Sequence, residues 1–336
     1  MIRLGCLGYG AWGRNLARVA ASTPGATLVA LAELDANKRA QAADRLPGTE
    51  IVARHEDLLE RDDIDAVLIG TSAVTHTELA LATIATGKHV FVEKPLALDV
   101  AGARSVVQAA TAKDRVLQVG HLLRYHPAVE LLLRVADEQL GSVRYVASQR
   151  LNFGSVRSDE NVIFSLGPHD LSVMLALFRD APLSVAAHGA AFVRPGVEDL
   201  AFVTLRFPGG GIGEIHLSWL DPHKVRRMTV VGERGMAVFD DMEPREKVRI
   251  YDQTVPVAAY ATYGENLALR VGEIRIPSYP VTEPLSVEIA HFVSCVATGS
   301  SPRTGGEEGI LVTEILCAAN RSLREGGVPV SLETMA

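Results

Sequence analysis

Only three cysteines, Cys6, Cys295 and Cys317, occur in 336 residues, and none belongs to a C-x-x-C spacing. That excludes a disulfide framework and a cysteine-built zinc site, and suits buried thiols in a reducing compartment. No apolar run approaches the roughly 18–20 residues that a membrane span requires, and because the sequence opens on a strand pattern no leader peptide is expected. A block of lysine and arginine is also missing. With a net charge of −7, the chain offers no surface for nucleic acid. Aromatic residues make up 5%, and no repeat or low-complexity tract is present. The expectation is a cytoplasmic protein with a small-molecule partner, no nucleic acid, no membrane and no metal. The remainder is ordinary, with 48% hydrophobic and 22% charged residues, and 336 residues predict two domains sharing one cleft.

The chain is organised around Leu4 to Gly13, an apolar run that breaks into Gly8, Tyr9, Gly10, Ala11, Trp12 and Gly13, a G-x-G-x-x-G spacing. Gly8 permits a tight turn out of a strand, Gly10 lets backbone approach a pyrophosphate, and Gly13 lets the following helix lie close on the sheet. Ile2 to Leu7 reads as the strand, Arg14 to Ala21 as the helix, and Thr27 to Ala32 as a second strand ending at Glu33. Glu33 stands 20 positions after Gly13, where a dinucleotide unit keeps the acid that accepts from the adenosine ribose. A carboxylate there repels a 2′-phosphate, so NAD is expected over NADP. Arg39 reads as an exposed residue of the next helix.

Asp35 is placed to cap that helix through Arg45, and Glu50 to Ala53, Asp65 to Gly70, Lys88 to Val92 and Arg115 to His121 read as further strands. Strands alternating with helices imply a parallel, doubly wound sheet over residues 1–121, with ligands beyond the carboxyl ends of its strands. Thr71, Ser72 and His76 follow one such end, and Glu93, Lys94 and Pro95 follow another. A helix-entry histidine is often only a capping or surface residue, and a Lys-Pro pair is often only a turn.

After Leu122 the alternation stops. Helices are expected at Ala128 to Ala136, Leu285 to Thr298 and Gly309 to Leu323, and Asp159 to Arg179 is expected to hold the Gly-Pro-His element followed by an apolar helix. Strands are expected at Val143 to Phe153, Leu183 to Val193, Leu200 to Phe207, Ile212 to Leu220, Val225 to Val231 and Ala237 to Phe239. Consecutive strands with tight turns give a mostly antiparallel open sheet, so residues 122–336 form an α+β domain for substrate binding and oligomerisation. Its uncovered face, with Trp219 and Phe202, suggests a homodimer or homotetramer. Tyr251 to Pro284 reads as a long connection.

Taken with the glycine turn, Thr71 to His76 and Gly167-Pro168-His169-Asp170, the Glu93-Lys94-Pro95 signature resembles the glucose-fructose oxidoreductase, inositol dehydrogenase and rhizopine-catabolism (Gfo/Idh/MocA) family over nearly the whole chain. The resemblance implies a nicotinamide-dependent dehydrogenase or reductase acting on sugars, cyclitols or sugar nucleotides. It implies that Lys94 holds and polarises the reacting oxygen, that Lys94-Pro95 is a cis peptide, and that His169 is the histidine of a D-x-G-x-H-x-x-D pattern. It also implies a late helix packed back on the first domain. Ser165 and Ser172 replace the two aspartates of that pattern, and Asp170 follows the histidine. This form resembles a subgroup that oxidises the 3-hydroxyl of UDP-linked amino sugars.

Hydride transfer needs a group that takes the hydroxyl proton. His169 suits that role, with the Lys94 ammonium favouring a neutral imidazole and stabilising alkoxide, and the two roles can be exchanged. Asp170 either orients the imidazole or caps a helix. Arg124, Tyr125, Gln149, Arg150, Asn152, Arg157 and Asn161 offer hydrogen-bonding groups to a polyhydroxylated or diphosphate ligand, and Lys224, Arg226 and Arg227 offer charge. A free-sugar or inositol dehydrogenase, or a ketosugar reductase, remains an alternative. So does a non-catalytic dinucleotide-binding regulator, although a chain kept only for binding needs neither Lys94 nor His169.

Overall fold

The computed structural model describes residues 1–154, 157, 160–252 and 272–332. The chain forms two compact units, Met1–His126 with Thr282–Cys317, and Pro127–Val281 with Ala318–Ala336.

The first unit carries strands β1 (Ile2–Leu7), β2 (Ala26–Ala32), β3 (Glu50–Val52), β4 (Ala66–Ile69), β5 (His89–Glu93) and β6 (Leu117–Gly120). Between them run helices α1 (Gly13–Ser22), α2 (Ala36–Arg45), α3 (His55–Leu59), α4 (His76–Ala85) and α5 (Val100–Ala112). All strand pairs are parallel, in the order β3-β2-β1-β4-β5-β6. Both faces of such a sheet are covered by crossovers, which is why β4 is apolar at every position. Leu7, Val67 and Ile69 enter one core while Leu4, Cys6, Ala66 and Leu68 enter the other, the alternation that a pleated strand imposes. Asp35 starts α2 by accepting from the backbone N–H groups of Asn37 and Lys38, as its position predicts. The sheet order reverses between β1 and β4, so the crevice for a ligand opens beyond their carboxyl ends.

The second unit contains α6 (Pro127–Val135), β7 (Val143–Phe153), α7 (Val162–Phe178), β8 (Ser184–Ala190), β9 (Leu200–Arg206), β10 (Ile212–Ser218), β11 (Leu220–Gly232), β12 (Met236–Asp240), β13 (Val248–Tyr251) and β14 (Ile274–Arg275). The chain then enters α8 (Pro284–Thr298) and α9 (Gly306–Arg324) before β15 (Val330–Ser331). The nine strands run β14-β13-β12-β11-β7-β10-β9-β8-β15, antiparallel except for β10 against β7. Alternation along the central strand buries Val146, Ser148 and Arg150 and exposes Tyr145 and Gln149. On the exposed face the Phe202 ring stacks on His216 at 4.4 Å. Trp219, expected on this face, is instead buried. Of the long connection expected over Tyr251 to Pro284, residues 253–271 lie outside the described residues.

The helix α8 supplies Leu285, Ile289, Phe292 and Val293 to the core that contains Leu4, Leu16 and Phe91. Phe292 meets Phe91 edge-on, with ring centroids 5.9 Å apart. This apolar stripe, at i, i+4, i+7 and i+8, makes the segment helical and fixes the face it buries.

Candidate active site

At the end of β1 the backbone of Gly8 takes φ +92°, a conformation that side chains other than glycine rarely adopt. A Cβ on Gly13 would stand 2.2 Å from the carbonyl of Gly8, so only glycine lets α1 begin this close to the strand. At Gly10 the space a Cβ would take is open. Glu33 closes the turn from the side, accepting from the N–H of Tyr9 at 2.7 Å and from that of Asp35 at 2.9 Å. Arg39 is not the exposed residue expected. Its guanidinium folds back onto the carbonyls of Glu33 and Leu34, where it satisfies a strand end.

The loops after β4 and β5 are tied together by His76. Its Nδ1 lies 2.7 Å from the carbonyl of Pro95 and its Nε2 lies 3.3 Å from that of Thr71, with the ring fully buried. A surface or capping role is therefore excluded. Thr71 lies against Gly8, and its hydroxyl meets that of Thr75 at 2.8 Å. Ser72 turns the chain, its carbonyl accepting from Thr75. Burial pushes the imidazole pKa of His76 down, with the Lys94 charge acting in the same direction. The Lys94-Pro95 peptide is cis. Beside it Glu93, buried at the end of β5, accepts from the indole N–H of Trp12 in the glycine turn and from the backbone N–H of Lys94. Trp12, Glu93 and Lys94 are thus brought together from two distant stretches. Burial raises the Glu93 carboxyl to about 7, against the hydrogen bond from Trp12 and the charge of Lys94.

Two residues expected to touch substrate are committed elsewhere. Tyr125 is completely buried, its hydroxyl 3.0 Å from that of Thr304 and its ring under the Arg303 guanidinium at 4.9 Å. Arg124 donates to Glu308 at 2.6 Å. The same region buries groups that sequence reasoning passed over. His121 follows β6 with no accessible surface, and burial, aided by the charges of Arg124 and Lys94, lowers its pKa to about 3. Glu288 of α8 is equally enclosed, and neither of its oxygens has a hydrogen-bond partner among the described residues. The signal for Glu288 was available, since it occupies the apolar stripe of α8 three residues after Leu285.

In the second unit, His169 and Asp170 belong to the interior of α7, whose cap is Asn161. Asp170 is therefore not an N-cap. Its carboxylate accepts from Arg150 Nε at 2.5 Å and from the Ser148 hydroxyl at 2.6 Å, all three groups being buried. Arg150 is a structural partner and no longer a free donor for substrate. Asn161 is likewise spent, accepting from the N–H of Phe164 and donating to Glu198 and Asn320. Gln149 points to the opposite, exposed face of the sheet. His169, half-buried, is followed one turn later by Ser172, whose hydroxyl donates to its carbonyl. Asn152 is half-buried on β7, and the exposed Arg157 pairs with Glu160 at 3.0 Å.

The open approach at Gly10 and the acid at the turn fit a dinucleotide: Gly8 to Gly13 would hold the diphosphate and Glu33 the adenosine ribose. Comparison with known proteins agrees. The oxidoreductase family with an NAD-binding Rossmann fold matches residues 2–121, and the GFO/IDH/MocA C-terminal domain matches residues 131–238. UDP-N-acetylglucosamine 3-dehydrogenase of Acidithiobacillus ferrooxidans is 30% identical over 240 residues, 71% of this chain and 74% of that protein. The solved structure of that enzyme, GnnA, matches with a TM-score of 0.85 at 26% identity, over 96% of this chain and 98% of the other. The scyllo-inositol 2-dehydrogenase (NAD(+)) of Bacillus subtilis is 25% identical, with 99% of this chain and 96% of that one covered. With fold, glycine turn and both halves of the chain in agreement, this protein belongs to the GFO/IDH/MocA family and is an NAD-binding dehydrogenase.

Proposed function

We propose that the chain transfers hydride between NAD and a secondary alcohol of a sugar, with the 3-hydroxyl of a UDP-linked amino sugar as its substrate. The observation that carries the reading is Lys94 at the carboxyl end of β5, next to a Glu93 bonded to Trp12 of the glycine turn. An ammonium at that strand end stabilises the oxygen of the reacting alcohol as its charge develops. His169 takes the hydroxyl proton in oxidation and returns it in reduction. NAD, when bound, supplies the hydride acceptor. Asp170, held by Arg150 and Ser148, stiffens the turn of α7 that carries His169. Asn152 and Arg157, with Lys224 and Arg227 of β11, are the remaining candidates for contact with the sugar nucleotide, Arg226 being paired with Asp241. The choice of a UDP-sugar is supported by the likeness to the 3-dehydrogenase along the full chain, and the inositol dehydrogenase, also similar along its length, marks the competing substrate. The exposed Tyr145 and Phe202 on the open sheet support self-association through that face.

The test is absorbance of reduced nicotinamide with NAD and separate UDP-sugars, hexoses and inositols. Reduction with UDP-N-acetylglucosamine and none with free polyols is expected. Reduction with inositols alone would replace the substrate and keep the chemistry.

A further inference from the structure

Helix α1 opens on a side chain that does nothing for the helix. Trp12 stands at its N-cap, where Ser, Thr, Asp or Asn would each satisfy a free backbone N–H, and it makes no side-chain cap. Its indole is also 39% exposed. A chain that gives up a cap and leaves a large aromatic ring in water breaks two local rules at one position, and such breaks gather at functional sites. What Trp12 does have is a single N–H, and that N–H donates to the Glu93 carboxylate.

Glu93 is buried at the end of β5, so its carboxylate depends on protein donors. Gly120, its register partner on β6, leaves the carboxylate room, since a Cβ there would stand 3.0 Å from the carboxyl carbon and from Oε2. The indole of Trp12 holds Oε1 from the glycine turn. Oε2 folds back over its own strand end and accepts from the backbone N–H of Lys94 at 3.2 Å. One residue further on, the carbonyl of Pro95 lies 2.7 Å from Nδ1 of His76. The main chain that carries Lys94 is thus fastened on both sides, through Glu93 to the glycine turn and through Pro95 to α4. Removing the indole N–H frees Oε1, lets the carboxylate turn, and takes the acceptor from the Lys94 N–H.

We propose that Trp12 is a positioning residue for Lys94: its indole N–H pins the Glu93 carboxylate across the Lys94 N–H and so fixes the backbone from which the ammonium reaches the reacting oxygen. The role belongs to the N–H and not to the area of the ring. A shift of about 1 Å in that backbone is enough to cost turnover. This rests on the reading that Lys94 stands at the hydride-transfer site.

Amide hydrogen exchange at residue resolution, on the protein without ligands, reads the hold directly. Trp12→Phe keeps an aromatic ring and removes the donor. Exchange at the Lys94 N–H is expected to quicken by about tenfold, with Val90 and Val92 of the same strand unchanged. Trp12→His returns an N–H at the ring position of the indole one and should restore protection to within about threefold. Gly120→Ala displaces the same carboxyl from the opposite side and should quicken Lys94 with the glycine turn intact. In steady-state kinetics, kcat of Trp12→Phe should fall by about 10–10² with KM for NAD+ within about threefold, and Trp12→His should recover most of the loss. Unchanged exchange at Lys94 in Trp12→Phe would overturn the proposal. A rise shared equally by Val90 and Val92 would overturn it too, by making Trp12 a packing residue. So would a kcat that Trp12→Phe leaves intact while Lys94→Ala abolishes it. If Lys94→Ala itself turns over normally, the reading of the site falls and takes the proposal with it.

Discussion

A neutral imidazole has one N–H to give, and His76 faces two carbonyls. The shorter contact, 2.7 Å to Pro95, takes the proton, because burial and the Lys94 charge keep the ring uncharged. His76→Ala removes this link between the loops after β4 and β5. We expect a loss on the order of 2–4 kcal/mol in urea unfolding, together with weaker NAD binding by fluorescence titration. Lys94→Ala and His169→Ala should behave in the opposite way, leaving dinucleotide binding within a few-fold while turnover falls by about 10²–10⁴. Undiminished turnover in both would remove them from the chemistry. Residues whose role depends on a contiguous turn, such as Gly8, Gly13 and Glu33, are readable in the sequence because the motif contains its own geometry. Tyr125 and Arg124 are not, since nothing near them reveals that Thr304 and Glu308 will lie opposite.

Among the elements, α8 shows where such reading stops. Its apolar period is plain in the sequence, and the helix spans the residues expected, but periodicity does not name the surface on which a stripe docks. Phe292→Ala should cost about 3–5 kcal/mol, because the ring is fully buried against Phe91 and the hole cannot close. The β7–α7 contact makes a second prediction. Asp170→Asn leaves the buried Arg150 without its counter-charge, and about 3–5 kcal/mol should be lost, whereas replacing both by apolar residues should cost less. Charge at 150 and 170 looks like substrate recognition in a linear reading, and only the packing of α7 on the sheet shows that the two satisfy each other. The strands β13, β14 and β15 escaped notice for a simpler reason, being two to four residues long and so too short to show a period.

For the molecule as a whole, buried acids and a buried histidine set opposite limits on stability. The Glu93 carboxyl ionises near 4.5 in the unfolded chain and near 7 in the folded one, so stability falls as pH rises between those values, and Glu288 acts in the same direction. His121 takes up its proton near 6.5 unfolded but only near 3 folded, so stability falls as pH drops through that range. Glu288→Gln should therefore raise Tm at pH 8 and leave it unchanged at pH 4, as calorimetry can check. If the open sheet mediates self-association, Phe202→Glu should lower the mass measured by sedimentation without altering Tm of the first unit. The chain passes from one compact unit to the other three times, after residues 126, 281 and 317. Leu4 and Phe91 leave the ribosome early, yet their companions Ile289 and Phe292 follow only after residues 127–281 have been made. The dinucleotide unit is thus born with an apolar flank that stays unsealed until α8 is made.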